Sequence, residues 1–339
     1  MSQVIYGLDI GKSTFHLIGR DSHGHEVIRK KFTRSKLLEF FTNHSPTTVA
    51  LEACAGAHWL GRQLQLHGQQ VKLLPPQYVK PYVKTNKNDY IDAAAIVEAS
   101  TRPDMRFVPV KTEQQQLLNV LYRIRQGYIR ERTALMSRIG AILLEFGLSL
   151  PRGHAKMKEL FFWLAQQSHE LPPLLMNELI GLHEHYLRLN EKIAEQDKTI
   201  KTQTEKDAKV VLLKTIPGVG DQVAAQCLAN IVPSEFKNGR HLAAWIGLVP
   251  RQYSTGGKNK LLGISKRGNK TLRELLIHGA RAMLSRPELA EKAYGKWITE
   301  LREKKPFNVA LVALANKLAR IIWSVMSRQE PFKVAQANA

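Results

Sequence analysis

The stretch Val4-Ile5-Tyr6-Gly7-Leu8-Asp9-Ile10-Gly11-Lys12-Ser13-Thr14-Phe15-His16-Leu17-Ile18-Gly19 decides how the N-terminal third of this chain is read. Val4–Asp9 and Thr14–Gly19 are apolar, β-favouring runs on either side of a short turn, so they predict neighbouring strands. Glu26–Phe32 continues the series after the turn Asp21-Ser22-His23-Gly24. Further out, Ser35–Asn43 predicts a helix, Thr48–Glu52 a strand, Ala57–Leu66 a helix, and Val71–Leu74 a short strand closed by Pro75-Pro76. This alternation predicts a layered α/β sheet.

Four carboxylates punctuate that pattern. Asp9 ends the first run and Glu52 ends Thr48–Glu52. Asp89 and Asp92 stand three apart at the start of the helical pattern Asn88–Ile96, so they share one face. Each acid alone has an ordinary reading: Asp89 as a helix N-cap, Asp92 complementing the helix dipole, Asp9 and Glu52 as polar strand ends. Together, carboxylates at adjacent strand ends facing a pair on a helix make a pocket for divalent cations. Hard ions such as Mg²⁺ take oxygen ligands, and paired ions stabilise both oxygens of an in-line phosphoryl displacement. Three strands followed by helix, strand, helix, strand and helix is also the order of an RNase H domain.

Charge carries the second signal. The 339 residues include 50 Lys and Arg against 29 Asp and Glu, a net charge of +21 with a pI near 10.0. A folded chain this basic points to a polyanion, most often nucleic acid. From Lys209 onward there are 22 basic residues against 8 acids, and Pro250–Arg286 holds nine basic residues and one acid, Glu274. Hydrophobic residues make up 44%, enough for real cores and too many for a disordered tail. No uninterrupted apolar run approaches the roughly 18 residues of a membrane span, so no membrane partner is expected. No leader pattern is present, and Cys54 and Cys227 fit no zinc motif, so a reduced, cytoplasmic protein is expected.

Between Thr112 and Ala208 the apolar spacing turns helical, with Leu117, Val120, Leu121, Ile124, Leu135, Ile139, Ile142, Leu143 and Phe146 recurring every three or four residues. A break at Pro151-Arg152-Gly153 and a second helix over about 173–206 predict a helical hairpin or coiled-coil spacer, a common dimer element. Next, Val210–Lys214, Thr215-Ile216-Pro217-Gly218-Val219-Gly220 and Asp221–Ala229 read as helix, Gly-rich hairpin, helix. Gly218 and Gly220 would let backbone amides meet a phosphate at the next helix, although an ordinary interhelical turn looks the same. Then comes Val249-Pro250-Arg251-Gln252-Tyr253-Ser254-Thr255-Gly256-Gly257-Lys258, followed by Gly263-Ile264-Ser265-Lys266-Arg267-Gly268-Asn269 and an amphipathic helix. A hydroxyl in this glycine loop, flanked by Arg251, Lys258, Lys260, Lys266, Arg267, Lys270 and Arg273, could attack a phosphodiester while the cations stabilise the developing charge. A solvated polar turn is the ordinary alternative.

The sequences GLDIGK, LEACAG, KNDYIDA, PGVG, GLVPRQYSTGGK and GISKRGN together resemble transposases of insertion-sequence family 110, subgroup 1111, over nearly the whole chain. The resemblance implies a RuvC-like DEDD domain (expected over residues 1–110), a coiled-coil region (111–208), a mainly helical transposase domain (209–330) and a tail (331–339). It implies Asp9, Glu52, Asp89 and Asp92 as Mg²⁺ ligands, and a nucleophilic hydroxyl in Tyr253–Gly256 that links covalently to DNA. Alignment on the glycine favours Thr255, whereas residue type favours Ser254, the less hindered primary hydroxyl. The implied partners are double-stranded DNA at element ends and target, an element-encoded guide RNA, and further copies of the chain as a dimer or tetramer with half-sites from different protomers. A bacterial, nucleoid-associated location goes with that reading.

Three rivals remain at this level. A junction resolvase of the same fold would use the four acids and water. A sugar-kinase or actin-like ATPase is echoed by Asp9-Ile10-Gly11-Lys12-Ser13, but no second Asp-x-Gly occurs. A non-catalytic nucleic-acid binder accounts for the charge and leaves the acids unexplained.

Overall fold

The computed structural model describes residues 4–84, 88–167 and 171–334. Lys87 of the KNDYIDA motif and tail residues 335–339 lie outside the described residues. The chain divides into two compact units, Met1–Gln116 and Leu117–Ala339.

The first unit is a five-stranded mixed sheet flanked by helices on both faces. In chain order it contains β1 (Ile5–Ile10), β2 (Thr14–Arg20), β3 (Glu26–Thr33), α1 (Arg34–Thr42), β4 (Thr48–Glu52), α2 (Ala57–Leu66), β5 (Gln70–Leu74), a short α3 (Pro76–Val79) and α4 (Asp89–Ser100). The spatial order is β3-β2-β1-β4-β5; β1, β2 and β3 pair antiparallel, while β4 and β5 run parallel to β1. Side chains alternate across a strand, which sorts the sheet into two faces. Leu8, Leu17, Val49, Leu51 and Leu73 pack with Leu37 and Phe41 of α1 and Leu60 and Leu64 of α2. On the other face Ala50, Leu74 and Ile18 pack beneath Ala93, Ala95, Ile96, Val97 and Ala99 of α4. Gly7 makes that approach possible, because a Cβ there would collide with the Ala93 carbonyl and the Val97 side chain.

Among the described residues the second unit is helical apart from one hairpin. Helices α5 (Glu113–Glu145) and α8 (Pro173–Thr204) run antiparallel, as Arg125 meets Asp197 at 2.6 Å, Arg132 meets Asn190 at 2.7 Å and Glu131 meets His185 at 3.3 Å. Leu135, Ile139 and Leu143 pack with Leu179, Tyr186 and Leu189, and the short α6 (His154–Lys158) and α7 (Leu160–Leu164) add Met157 and Leu160. The main core joins α9 (Ala208–Lys214), α10 (Asp221–Asn230), α11 (Gly239–Ile246), α12 (Lys270–Leu284), α13 (Pro287–Tyr294), α14 (Trp297–Lys304) and α15 (Phe307–Arg328). The hairpin β6 (Pro250–Thr255) and β7 (Lys258–Ile264) leaves between α11 and α12.

The boundary expected at 208/209 does not separate two units. Gln222 of α10 donates to Asp197 of α8 at 2.6 Å, and Asn119 of α5 donates to the Ala229 carbonyl at 3.3 Å, so the helical pair is built into the C-terminal core. Helix α15 is long and apolar enough, by length and composition, to cross a membrane. Its Leu311, Leu314, Leu318 and Ile322 are instead central to the core, and Lys317 and Arg320 interrupt its other side. In the tail, the Phe332 amide donates to Thr215 Oγ1 at 2.8 Å and its ring packs beside Tyr294.

Candidate active site

Strand register brings the acids to one face. Asp9 is the antiparallel partner of His16, and Leu8 is the parallel partner of Leu51, so Asp9 lies alongside Glu52. Asp9 and Glu52 each follow by two residues a position covered by α4, Gly7 and Ala50, and so share that face. Above them is the first turn of α4. Asn88 caps this helix, its Oδ1 accepting from the amides of Tyr90 at 3.0 Å and Ile91 at 2.9 Å. The N-cap reading of Asp89 is thereby overturned. Because Asn88 satisfies the orphan amides, the Asp89 carboxylate is left to face the sheet, where it meets His16 Nδ1 at 3.4 Å.

The electrostatics agree with this placement. Burial, followed by repulsion from Asp92 and then Asp89, holds the Asp9 carboxyl above the usual range, with His16 and the Ile10 amide pulling the other way. Burial first, then the charges of Glu52 and Asp9, likewise pushes the Cys54 thiol up. Asp9 is therefore the hub: it feels Asp89, Asp92 and His16, and together with Glu52 it acts on Cys54. A negative cluster that is costly while unneutralised is what a resident cation relieves.

His16 is a residue that sequence reasoning missed. It is buried, edge-on to Tyr90 with ring centroids 4.8 Å apart. One ligand atom each from Asp9, His16 and Asp89 lie within 4.8 Å of one another. Two carboxylates and an imidazole at that spacing fit a divalent cation. The imidazole can serve as a ligand or as the partner that orients Asp89.

The second group of predicted residues is in the other unit. Ser254 and Thr255 are on β6, and the glycine loop is a tight turn in which Gly256 (φ 56°) and Gly257 (φ 75°) are both left-handed, as a two-residue primed hairpin turn requires. Ser254 pairs with Asn259 and Thr255 with Lys258. The Ser254 hydroxyl accepts from Gln252 Nε2 at 2.8 Å, and the same amide reaches Asn259 at 3.3 Å. Alternation puts Thr255 on the opposite face, with Tyr253, Lys258 and Lys260. The two candidate hydroxyls thus have different company, amides around Ser254 and lysines around Thr255. Gln252 and Asn259 were not foreseen.

Around the hairpin, Arg251, Lys258, Lys260, Lys266 and Arg267 are exposed, and none of them forms an ion pair among the described residues. Lys270 pairs with Glu274 at 3.6 Å on the surface of α12. Arg273 is a correction. It is buried, and its guanidinium donates to the carbonyls of Ile246 at 2.8 Å and Arg267 at 3.1 Å, so it clamps the loop after β7 to the end of α11 and leaves the set of free cations. Gly247 and Gly268 permit the same approach, since a Cβ on either would strike the facing backbone.

Gly218 and Gly220 differ as well. Gly218 is left-handed at φ 86° and presses against the backbone of Gly279 in α12, which gives it a packing reason of its own. Gly220 is exposed with open space around it. Asp221, the first residue of α10, pairs with Lys214 at 2.5 Å and puts a carboxylate where an anion would approach the helix amides.

Comparison with known proteins finds two family models along the chain, the first of which extends past the end of the first unit. A family described as transposase, of DEDD and IS110 type, matches residues 6–147, and the family described as Transposase IS116/IS110/IS902 matches residues 210–295. The transposase for insertion sequence element IS1328 of Yersinia enterocolitica is 44% identical, over 97% of this chain and 98% of its own length. A probable family 20 transposase of Pseudomonas aeruginosa is 41% identical over 96% and 98%. The transposase for insertion sequence element IS1111A of Coxiella burnetii is 40% identical over 97% and 91%.

Proposed function

Because this chain belongs to the Transposase IS116/IS110/IS902 family, a family of enzymes that recombine DNA, we propose that it is an RNA-guided recombinase with a Mg²⁺-binding DEDD site and a serine nucleophile. The observation that carries the reading is the convergence of Asp9, Glu52, Asp89 and Asp92, with His16, on the α4 face of one sheet. The strand order β3-β2-β1-β4-β5 with two parallel additions supports an RNase H/RuvC-like assignment.

Asp9, Glu52, Asp89 and Asp92 would hold Mg²⁺, which when bound supplies charge neutralisation at the scissile phosphate. Asn88 holds Asp89 ready by capping α4, and His16 fixes its orientation. Ser254 Oγ attacks the phosphorus of a DNA phosphodiester. A serine–phosphate ester forms, the bond to the leaving sugar oxygen breaks, and that oxygen takes up a proton while the serine proton passes to solvent. Reversal with a new sugar hydroxyl rejoins the strand and needs no nucleotide hydrolysis, since phosphodiester energy is kept in the ester. Gln252 and Asn259 orient the hydroxyl, and the free cations of the hairpin bind neighbouring phosphates.

The guide RNA reading rests on the family resemblance and on the positive surface of the second unit. A homo-oligomer is supported by exposed apolar residues on the helical pair, Val120 and Ile124 on α5 and Ile180 and Leu187 on α8. The test incubates the protein with element-end DNA, cognate RNA and Mg²⁺ and looks for a protein–DNA adduct on a denaturing gel. An adduct lost in Ser254→Ala and kept in Thr255→Ala is expected; the reverse pattern moves the nucleophile to Thr255. Strand cleavage with no adduct in any lane would replace this reading with a water-using nuclease. That second reading is favoured by one observation, the absence of a histidine partner on the Ser254 hydroxyl among the described contacts.

A further inference from the structure

The second unit contains a cleft of about 460 Å³ that the chemistry above does not use. It opens between the start of α11 and the middle of α15 and is lined by Asn238, Arg240, Lys317, Arg320, Trp323 and Ser324, among others. Gly239 sets the approach of the two helices, because a Cβ there would come within 2.9 Å of the Arg320 backbone. Arg240 is thereby held beside Arg320 although the two are distant in sequence.

Three cations gather here, and no acid lines the cleft among the described residues. None of Arg240, Lys317 and Arg320 forms an ion pair among the described residues. Lys317 is pinned: its Nζ donates to the Tyr294 carbonyl at 3.1 Å and lies 4.4 Å above the centre of the Trp297 ring. Burial, and then the charge of Arg320, pushes its ammonium down from the ordinary lysine value. Trp323 is fixed as a flat wall by its indole bond to the Pro233 carbonyl at 3.3 Å. Folding that brings like charges together, and gives them no acid, is unfavourable until an anion arrives. Helix α11 begins at this cleft, so its positive end adds to the field.

Position gives the site a meaning. The eight residues of α11 span about 12 Å, with the cleft at its start and the serine hairpin leaving from its end. That length corresponds to three or four steps of about 3.4 Å along a nucleic-acid strand.

We propose that the Arg240–Lys317–Arg320 cleft binds a backbone phosphate of nucleic acid, a grip separate from the hairpin and spaced from it by α11. The ligand chemistry is a phosphodiester, and it is shared by duplex DNA and RNA. The inference rests on the chain's acting on DNA and is independent of the serine or metal chemistry.

The full-length chain is titrated by fluorescence anisotropy into a labelled 30-base-pair duplex of arbitrary sequence, and separately into a single-stranded RNA of equal length, across a fourfold range of salt. Arg240→Gln with Arg320→Gln is compared with a charge-matched control, Lys198→Gln with Lys201→Gln on the exposed side of α8. Losing two phosphate contacts flattens the salt slope by about 1.8 on duplex and about 1.4 on single strand. The wild-type and variant salt responses should then differ by roughly tenfold over the duplex titration, while the control stays near wild type. A loss confined to duplex assigns the phosphate to DNA, and one confined to RNA assigns it to RNA. Equal slopes for variant and control on both probes overturn the proposal. Unchanged thermal melting of the variant excludes unfolding as the cause, and Arg240→Lys with Arg320→Lys, which keeps both charges, should restore most of the slope. Strand cleavage is not read in this assay, so failure of the catalytic reading would leave its outcome unaffected.

Discussion

The acid face of the first unit and the serine hairpin of the second are built in opposite ways. Two acids, Asp9 and Glu52, sit on a five-stranded sheet and two, Asp89 and Asp92, on the helix over it, held by strand register, by the Gly7 approach and by the Asn88 cap. The hairpin is two largely exposed strands anchored to the core, among the described residues, only near Ile264, and held at its base by Arg273, which bonds the Ile246 and Arg267 carbonyls. Isolated two-stranded ribbons are marginal in water. On the proposed reading the acid face is organised before substrate arrives, whereas the Ser254 hydroxyl would be positioned fully only when nucleic acid covers the ribbon.

The sharpest break of that contrast is Asp9→Asn. Strand cleavage should fall by about a thousandfold, since an electrostatic element of the reaction is lost. DNA affinity in the absence of metal should stay within a few-fold of wild type; a parallel loss of binding would make Asp9 structural. Next comes Gly7→Val, which forces α4 away from the sheet and should cost about 3 kcal/mol of stability, read by denaturant melting of the isolated chain. Its counterpart, Gly257→Ala in the hairpin turn, should leave the melt nearly unchanged while weakening adduct formation. If both glycines shifted the melt equally, the two regions would not differ as described.

Arg273→Ala leaves the carbonyls of Ile246 and Arg267 without their donor and should cost about 2 kcal/mol. A smaller effect, with weaker DNA binding at constant stability, would restore Arg273 to the nucleic-acid contacts. The gentlest test is pH. The Asp9 carboxyl is raised above its unfolded value, so the folded state binds the proton more tightly. Its contribution to metal-free stability is most favourable below the ordinary carboxylate range and is lost as pH rises through the raised value. Asp9→Asn should flatten that stretch of the stability–pH curve, and an unchanged curve would remove the electrostatic account.

Much of the first unit was legible because periodicity and local turns determine it. The predicted strand Thr48–Glu52 and helix Ala57–Leu66 have the observed bounds. His16 could have been found too: the Gly11 amide bonds the Thr14 carbonyl at 3.0 Å, and a turn that tight fixes residue 16 opposite residue 9. Arg273 was misread because its charge outweighed its position, although it shares the stripe of Leu276, Ala280 and Met283. The cap on α4 is a one-residue matter between Asn88 and Asp89, which only backbone geometry decides. The cluster of Arg240 with Lys317 and Arg320 had no local signal at all. Tertiary packing of α11 on α15 creates it, and no spacing within either helix announces it.

The meeting of Gly218 with Gly279 bears on how such a chain can drift. Each lacks a side chain because the other's backbone fills the space, so enlarging one cannot be answered by shrinking its neighbour, which is already at the minimum. The pair has no exchangeable partners and so generates no covariation. Methods that infer contacts from correlated substitutions would pass over one of the closest junctions in the unit, and a mutational library would register it as two separate intolerant positions.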